Sequence, residues 1–329
     1  TGELRRVWGA PEFTRSTRCR VIVLFGLALV VGFAGMVLAS RRAVESASDL
    51  ALGTQIPPFF VGITLLAIGT DLPEIANSIA AAVSGHGDVA VGDAMGSVVT
   101  QSTLVLGLLP LLAGTLVVPK RGVVPTGAFT VLGLGVVAVL AADGSIARPD
   151  ALVLIAIWVV GSLVIYRRTT RNQQLTMSER KESRLRLVVT TLFALAVVGA
   201  SAMAALWGII GVAEALDAPE FLISFFVASI GTSLPELAFD VTAIRRGAVA
   251  LAIGDVMGSS FVDSTLATGI GPLIAPTEVT ADLVVKAALA AMVAVAIVTV
   301  MLTRIERHDW RTGVILLGMY ATFFVILLV

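Results

Sequence analysis

The chain carries one polar motif twice, at a constant offset of 162 residues. Residues 69–74 read GTDLPE and residues 231–236 read GTSLPE; residues 92–97 read GDAMGS and residues 254–259 read GDVMGS. Aligned without a gap, 61–110 and 223–272 share 20 identities in 50 positions. Both copies place carboxylates inside apolar stretches. A polar motif duplicated within membrane spans marks transporters built from two structural repeats. The duplication therefore predicts two half-sites that complete one another.

The surrounding sequence has the character of a membrane protein. Of 329 residues, 57% are hydrophobic and 14% charged, against about a quarter charged in soluble domains. Mean hydropathy is +0.96. Cys19 is the single cysteine, which excludes an intrachain disulfide framework and a thiolate metal cluster. His86 and His308 fall in expected loops and read as solvated. The first apolar run begins near residue 21 and is long enough to span, which argues against a cleavable leader.

A span needs roughly 20 apolar residues. Ten such stretches are expected, at about 21–39, 58–83, 88–112, 123–142, 150–166, 186–213, 220–244, 248–274, 281–303 and 311–329. Five precede the polar stretch 167–185 and five follow it. The expected organisation is a first repeat over 21–166, a linker over 167–185 and a second repeat over 186–329. An odd number of spans per repeat inverts one copy relative to the other. The expected fold is an all-α membrane protein of ten transmembrane helices in two inverted five-helix repeats.

Charge alternates along the loops. Basic residues gather at Arg41 and Arg42, Lys120 and Arg121, from Arg167 to Arg186, at Arg245 and Arg246, and at Arg304, Arg307 and Arg311. The intervening loops carry Asp88, Asp143, Asp150, Glu214, Asp217, Glu220 and Glu278. The positive-inside rule then places the basic loops, including 167–185, in the cytoplasm and both termini outside. Arg5, Arg6, Arg15, Arg18 and Arg20 run against this pattern.

Seven carboxylates fall within or at the edges of expected spans: Asp71, Glu74, Asp93, Glu236, Asp240, Asp255 and Asp263. An ionised carboxylate at the bilayer centre costs about 2.5–3.5 kcal/mol or more. No lysine or arginine shares these central segments, so protons or metal cations are the expected partners. Thr70 and Glu74, and Thr232 and Glu236, are spaced to share a helix face. Pro73 and Pro235 precede the glutamates, and each frees the carbonyl four residues back, at Gly69 and Gly231. A carbonyl, a hydroxyl and a carboxylate around one helix break form an all-oxygen set that suits hard cations. Ser97 and Gln101, and Ser259 and Asp263, add i, i+4 pairs. Gly92, Gly96, Gly254 and Gly258 offer small surfaces for helix packing. Asp93 and Asp255 are candidate ligands or pathway residues. Asp240, close in sequence to Arg245 and Arg246, reads as a helix-end charge.

These motifs resemble the α-repeats of the cation/calcium antiporter superfamily, which includes the sodium/calcium exchangers. That pattern is GTSxPE followed by GNxxGSNxxN, once per half. The resemblance covers about 45 residues per copy and the overall topology. It implies a metal-binding set of Thr70, Glu74, Ser97 and Gln101 in the first half. In the second half it implies Thr232, Ser233, Glu236, Ser259 and Asp263, with backbone carbonyls near Ala67 and Ser229. Asp71 stands where the pattern has Ser, and Asp93 and Asp255 stand where it has Asn. Gln101 replaces the usual Asn or Asp, and Val98 and Ser260 replace the asparagine of GSN.

The expected function is secondary active exchange of Ca²⁺ for Na⁺ by alternating access. Glu74 and Glu236 would be central ligands, with Asp71 and Asp263 completing the charge. Spans 1 and 6 would move around the site. The extra acids leave open a proton-coupled exchanger or one carrying Mg²⁺ or Mn²⁺. An intramembrane aspartyl protease is disfavoured, because Val91–Gly92–Asp93 and Ile253–Gly254–Asp255 lack the GxGD pattern. A passive channel is the remaining alternative. The expected partners are the lipid bilayer and inorganic cations, with no nucleic acid and no resident cofactor. The chain is expected to act as a monomer.

Overall fold

Backbone in a bilayer must satisfy its own hydrogen bonds, and this chain does so almost entirely as helix. The computed structural model describes residues 15–54, 56–170, 183–215 and 233–328. α1 (Arg15–Thr54) runs straight through Arg41 and Arg42, which the hydropathy pattern assigns to a loop. No proline interrupts this run before Pro57, so the helix continues past its apolar part. α2 (Pro58–Thr70) and α3 (Leu72–Val83) are two helices bent by 49° at a break between them. Pro73 lies in the first turn of α3, where its missing N–H is not needed.

α4 runs over Gly87–Val99, a π-helical turn at Thr100–Val105, and Leu106–Ala113. α5 (Lys120–Leu140), α6 (Arg148–Thr170), α7 (Arg184–Ala215) and α8 (Leu234–Arg245) follow. α9 runs over Val249–Val262, a second π-helical turn at Asp263–Ala267, and Thr268–Ile274. α10 (Ala281–Arg304) and α11 (Trp310–Leu328) complete the chain. Among the described residues seven helices are long and apolar enough to cross a membrane, or eight if α2–α3 is one span. The chain is a multi-pass membrane protein. Of the expected span 220–244 only α8 lies within the described residues.

The offset of 162 persists in three dimensions. α3 and α8 each have 12 residues and start at Leu72 and Leu234. The π-helical turns of α4 and α9 occupy matching positions. The turns after α3 and α8 each use a glycine at positive φ, Gly85 at 76° and Gly247 at 78°, a conformation glycine adopts without steric cost. The motif helices are the most enclosed: α9 is 83% buried across its apolar window, whereas α1 is 11% buried. α1 and α7 pack along each other at the periphery.

Contacts between loops sort them into two groups. At one end, β1 (Ser145–Ile146) pairs antiparallel with β2 (Thr277–Glu278). Beside this ribbon Asp88 accepts both the amide N–H and the hydroxyl of Thr280, each at 2.6 Å. At the other end of α5 and α10, Leu116 pairs with His308. There Arg245 donates to Leu112 O at 3.1 Å, and Arg246 pairs with Glu45. His308 is buried by this pairing rather than solvated. Burial pushes its imidazole below the usual histidine range.

Asp88 is testable outside the membrane segments. Its two bonds to Thr280 hold its carboxyl below the usual range. A lowered folded-state pKa gives stability that is present above the unfolded value and lost as pH falls through the folded one. Asp88→Ala should lower stability by about 1 kcal/mol at pH 7, read by thermal melting in detergent. The difference from wild type should vanish in acid below that carboxyl's pKa.

A candidate cation site between two helix breaks

Each half of the site grows from the start of a helix. Asp71 occupies the break between α2 and α3, at φ −82° and ψ 8°. Ser233 holds the equivalent place before α8, at φ −90° and ψ 7°. The backbone thus repeats at both breaks while the side chain changes from acid to hydroxyl. Glu74 and Glu236 lie in the first turns of α3 and α8. Unpaired N–H groups and the helix dipole favour negative charge there.

Asp71, Glu74 and Glu236 each bring a carboxylate oxygen within 4.8 Å of the other two. All three are buried, and among the described residues none of their six carboxylate oxygens has a hydrogen-bond partner. The Ser233 hydroxyl and Asp263 Oδ1 are also buried without a partner among the described residues. Ca²⁺ is bound by oxygen ligands alone, so this donor set matches a hard cation in kind. Such a cation would offset the desolvation of acids that meet no basic side chain.

Around the triad the two halves interlock. The Thr70 hydroxyl, in reach of Leu66 O and Ala67 O at 3.2 Å, lies 3.4 Å from Asp255 Oδ1 and 3.3 Å from Ser259 Oγ. Gln101 Nε2 donates to Asp263 Oδ2 at 3.0 Å, and Ser260 Oγ donates to Gln101 Oε1 at 3.3 Å. Gln101 and Asp263 occupy equivalent positions of the two repeats, as do Glu74 and Glu236. Both members of the first pair sit in π-helical turns, which recur at functional sites because they re-aim side chains.

The remaining expected residues fall as follows. Ser97 is buried in α4. Ala67 O accepts the Asp71 N–H at 2.9 Å. Asp93 is half-buried and accepts Asn77 Nδ2 at 2.7 Å. Thr232 and Ser229 lie outside the described residues, as does the Gly231 carbonyl.

Asp240 is the main correction. It is 0% exposed and faces Asp255 rather than the helix end. The arginines that suggest a helix-end charge are engaged by Leu112 O and Glu45. The spacing holds the signal, since Asp240 follows Glu236 by one helical turn on the same face. Asn77, which holds Asp93, has no motif to mark it, and Ser260, which donates to Gln101, is marked only as a departure at the asparagine of GSN.

Glycines bring the halves together. A Cβ on Gly62 would lie 2.6 Å from Leu251 O and 2.7 Å from Gly254 Cα, and one on Gly258 would collide with Ile63 Cα. α2 therefore crosses α9 at near-backbone contact. This sets Thr70 against Asp255 and Ser259.

A buried, all-oxygen acidic site built from two matched half-motifs agrees with the similarity to known proteins. The family described as "Sodium/calcium exchanger protein" matches this chain twice, over residues 24–167 and 186–329. The chain belongs to the sodium/calcium exchanger family. Its relatives include the sodium/calcium exchanger MaX1 of Methanosarcina acetivorans, 26% identical over 362 aligned positions covering 92% of this chain and 97% of MaX1. The inner membrane protein YrbG of Escherichia coli is 30% identical, covering 76% of this chain and 80% of YrbG. The fold matches that of the sodium-calcium exchanger NCX_Mj with a TM-score of 0.77, at 22% identity, over 92% of this chain and 99% of that structure. Family membership makes this chain a cation/calcium antiporter of the membrane, a transporter in class.

Proposed function

We propose that this exchanger moves Ca²⁺ out of the cell against inward Na⁺ by alternating access at one shared site. The carrying observation is the Asp71, Glu74 and Glu236 triad, whose six buried oxygens have no partner among the described residues. Glu74 and Glu236 are the central ligands. Asp71 and Asp263 complete the charge, and Thr70, Thr232, Ser97, Ser233 and Ser259 supply neutral oxygens. Gln101 holds Asp263. Two ions that need the same carboxylates compete for them, and competition at a site open to one side at a time gives exchange. The named function of MaX1 supports the choice of ions.

Inverted five-helix repeats over 21–166 and 186–329 explain the ends of the molecule. Leu116 and His308 pair at one end of α5 and α10, and their counterparts at the 162 offset, Glu278 and Ile146, belong to the ribbon at the other. The contact between Gln101 and Asp263 fits an axis passing through the site. The charge pattern then puts the linker 167–185 in the cytoplasm and both termini outside, with the site near the bilayer midplane. The peripheral pair α1 and α7 is the part that moves. The protein works as a monomer on inorganic cations alone.

The surplus of buried acids beyond the triad favours a second reading, in which protons drive exchange or the cargo is Mg²⁺ or Mn²⁺. One experiment separates them: radiolabelled calcium uptake into proteoliposomes under a sodium gradient, a proton gradient, or neither. The proposal expects uptake with the sodium gradient alone. Uptake with the proton gradient alone would select the second reading.

A further inference from the structure

We infer that Gln101 and Ser260 form a tether that leaves Asp263 one oxygen for a cation, and that this tether works against divalent ions of high coordination number. The inference rests on the exchange reading above in placing a divalent cation beside Asp263. It gives a role to Ser260, which that reading leaves out, and it makes Gln101 a positioning residue rather than a ligand.

Chemistry fixes the direction of each bond. An ionised carboxylate only accepts, whereas a primary amide donates at one end and accepts at the other. Gln101 Nε2 donates to Asp263 Oδ2 at 3.0 Å. The amide carbonyl then points away from the carboxylate and needs a donor of its own. Ser260 Oγ, 3.3 Å from Gln101 Oε1, is that donor. The same hydroxyl lies 3.1 Å from Val256 O, but that carbonyl already belongs to the hydrogen-bond ladder of α9. Gln101 is 0% exposed, so bulk water does not reach its carbonyl. A buried acceptor left unpaired costs more than an ordinary bond gains, which directs the hydroxyl proton to Gln101. Ser260 and Asp263 are three apart on one helix and share a face, and Gln101 bridges them from the π-helical turn of α4.

The tether divides Asp263. Oδ2 is occupied by the amide, while Oδ1 is buried without a partner among the described residues. The main chain is held as well, since the Thr268 hydroxyl donates to Asp263 O at 2.6 Å. The charges of Asp71 and Glu74 act on this carboxylate, which sets it beside the triad with Oδ1 as the oxygen left for a cation. Among the described residues the first half has no such chain. The counterparts of Ser260 and Asp263 are Val98 and Gln101. Val98 is 0% exposed and packs in an apolar cluster, and valine has no proton to give. The two places where the chain leaves the family pattern, Gln101 and Ser260, therefore act together on one ligand.

Coordination number gives the tether its consequence. A carboxylate with both oxygens free can bind Ca²⁺ bidentately, and Ca²⁺ accepts about 6–8 oxygens in flexible geometry. Smaller ions such as Mg²⁺ and Mn²⁺ favour an octahedron of oxygens. Holding Asp263 to one oxygen withdraws a ligand that Ca²⁺ can use and that an octahedral ion needs less. The tether thus narrows the margin by which the site prefers the larger ion.

The test is the ratio of Ca²⁺ to Mn²⁺ affinity in sodium-free buffer. It is read from the rise in melting temperature that each ion gives purified protein, for wild type, Gln101→Met, Ser260→Ala and Ser260→Thr. Gln101→Met removes the amide and keeps the length of the side chain. It should raise the ratio about tenfold, the scale of one hydrogen bond to a charged group. Ser260→Ala leaves the amide carbonyl without its donor and should raise the ratio about two- to fivefold, the scale of a neutral bond. Ser260→Thr keeps the hydroxyl and should hold the wild-type ratio. A mere loss of packing would weaken both ions together and leave the ratio where it was. If Gln101→Met fails to fold, the contrast between Ser260→Ala and Ser260→Thr decides. A ratio that stays the same or falls when the tether is cut overturns the inference. Wild-type protein whose melting temperature neither ion raises overturns the exchange reading instead.

Discussion

Glu236→Gln is expected to abolish sodium-driven calcium uptake while leaving the protein folded, and Glu74→Gln should do the same. Removing one charge partner from a buried ion costs about 2–5 kcal/mol, or roughly 30- to 5000-fold in affinity. Both glutamates contribute to one triad with Asp71, so neither loss is made good by the other. The stability change has the opposite sign. Each variant removes a negative charge from a sealed cluster whose oxygens lack donors among the described residues. In ion-free buffer it should melt at or above the wild-type temperature. Calcium stabilises wild type by binding the folded state, and this rise in melting temperature should be absent in the variants. Wild-type uptake by either variant would show that the triad is not the transport site.

The second large effect concerns backbone contact. Gly254→Val should destabilise the protein and stop transport together. A Cβ at this position would collide with Phe59 O and lie 3.0 Å from Gly62 Cα. These are main-chain atoms of α2, which cannot rotate aside. Overpacking of this kind costs about 1–3 kcal/mol or more, and relief requires α2 to lift from α9. That movement would carry Thr70 and Asp71 away from Asp255 and Ser259. Gly135→Ala is the control, since its added Cβ meets only Met292 Sδ, at 3.6 Å. It should match wild type in melting temperature and uptake. An active, stable Gly254→Val protein would mean that the close crossing of α2 and α9 is not needed.

Much of the site is legible in the chain itself. Glu74 and Glu236 announce themselves because a carboxylate is costly in an apolar span and costlier when repeated. Pro73 marks the helix break because it lacks an N–H, and the break follows at Asp71, bent by 49°. Asp240 is harder to read, because proximity in sequence to Arg245 and Arg246 suggests pairing. A helix turns by about 100° per residue, so those arginines leave toward Leu112 and Glu45 while Asp240 faces inward. His308 misleads because a polar residue in a loop is usually solvated, whereas its backbone pairs with Leu116 and buries the ring. Arg41 and Arg42 suggest a loop because hydropathy falls there, yet a fall in hydropathy ends a span without ending a helix.

By itself the sequence determined that this is a membrane protein with a duplicated, acidic, oxygen-rich motif, because composition and spacing are properties of the chain. Only the tertiary structure decided which acids share a space. It joined Asp71, Glu74 and Glu236 into one triad and set Gln101 on Asp263. It also turned Asp240 toward Asp255. These meetings join positions up to 165 residues apart, from Asp71 to Glu236, and they depend on how closely α2 and α9 cross. That distance is set by glycine against backbone, which a linear pattern allows but does not specify.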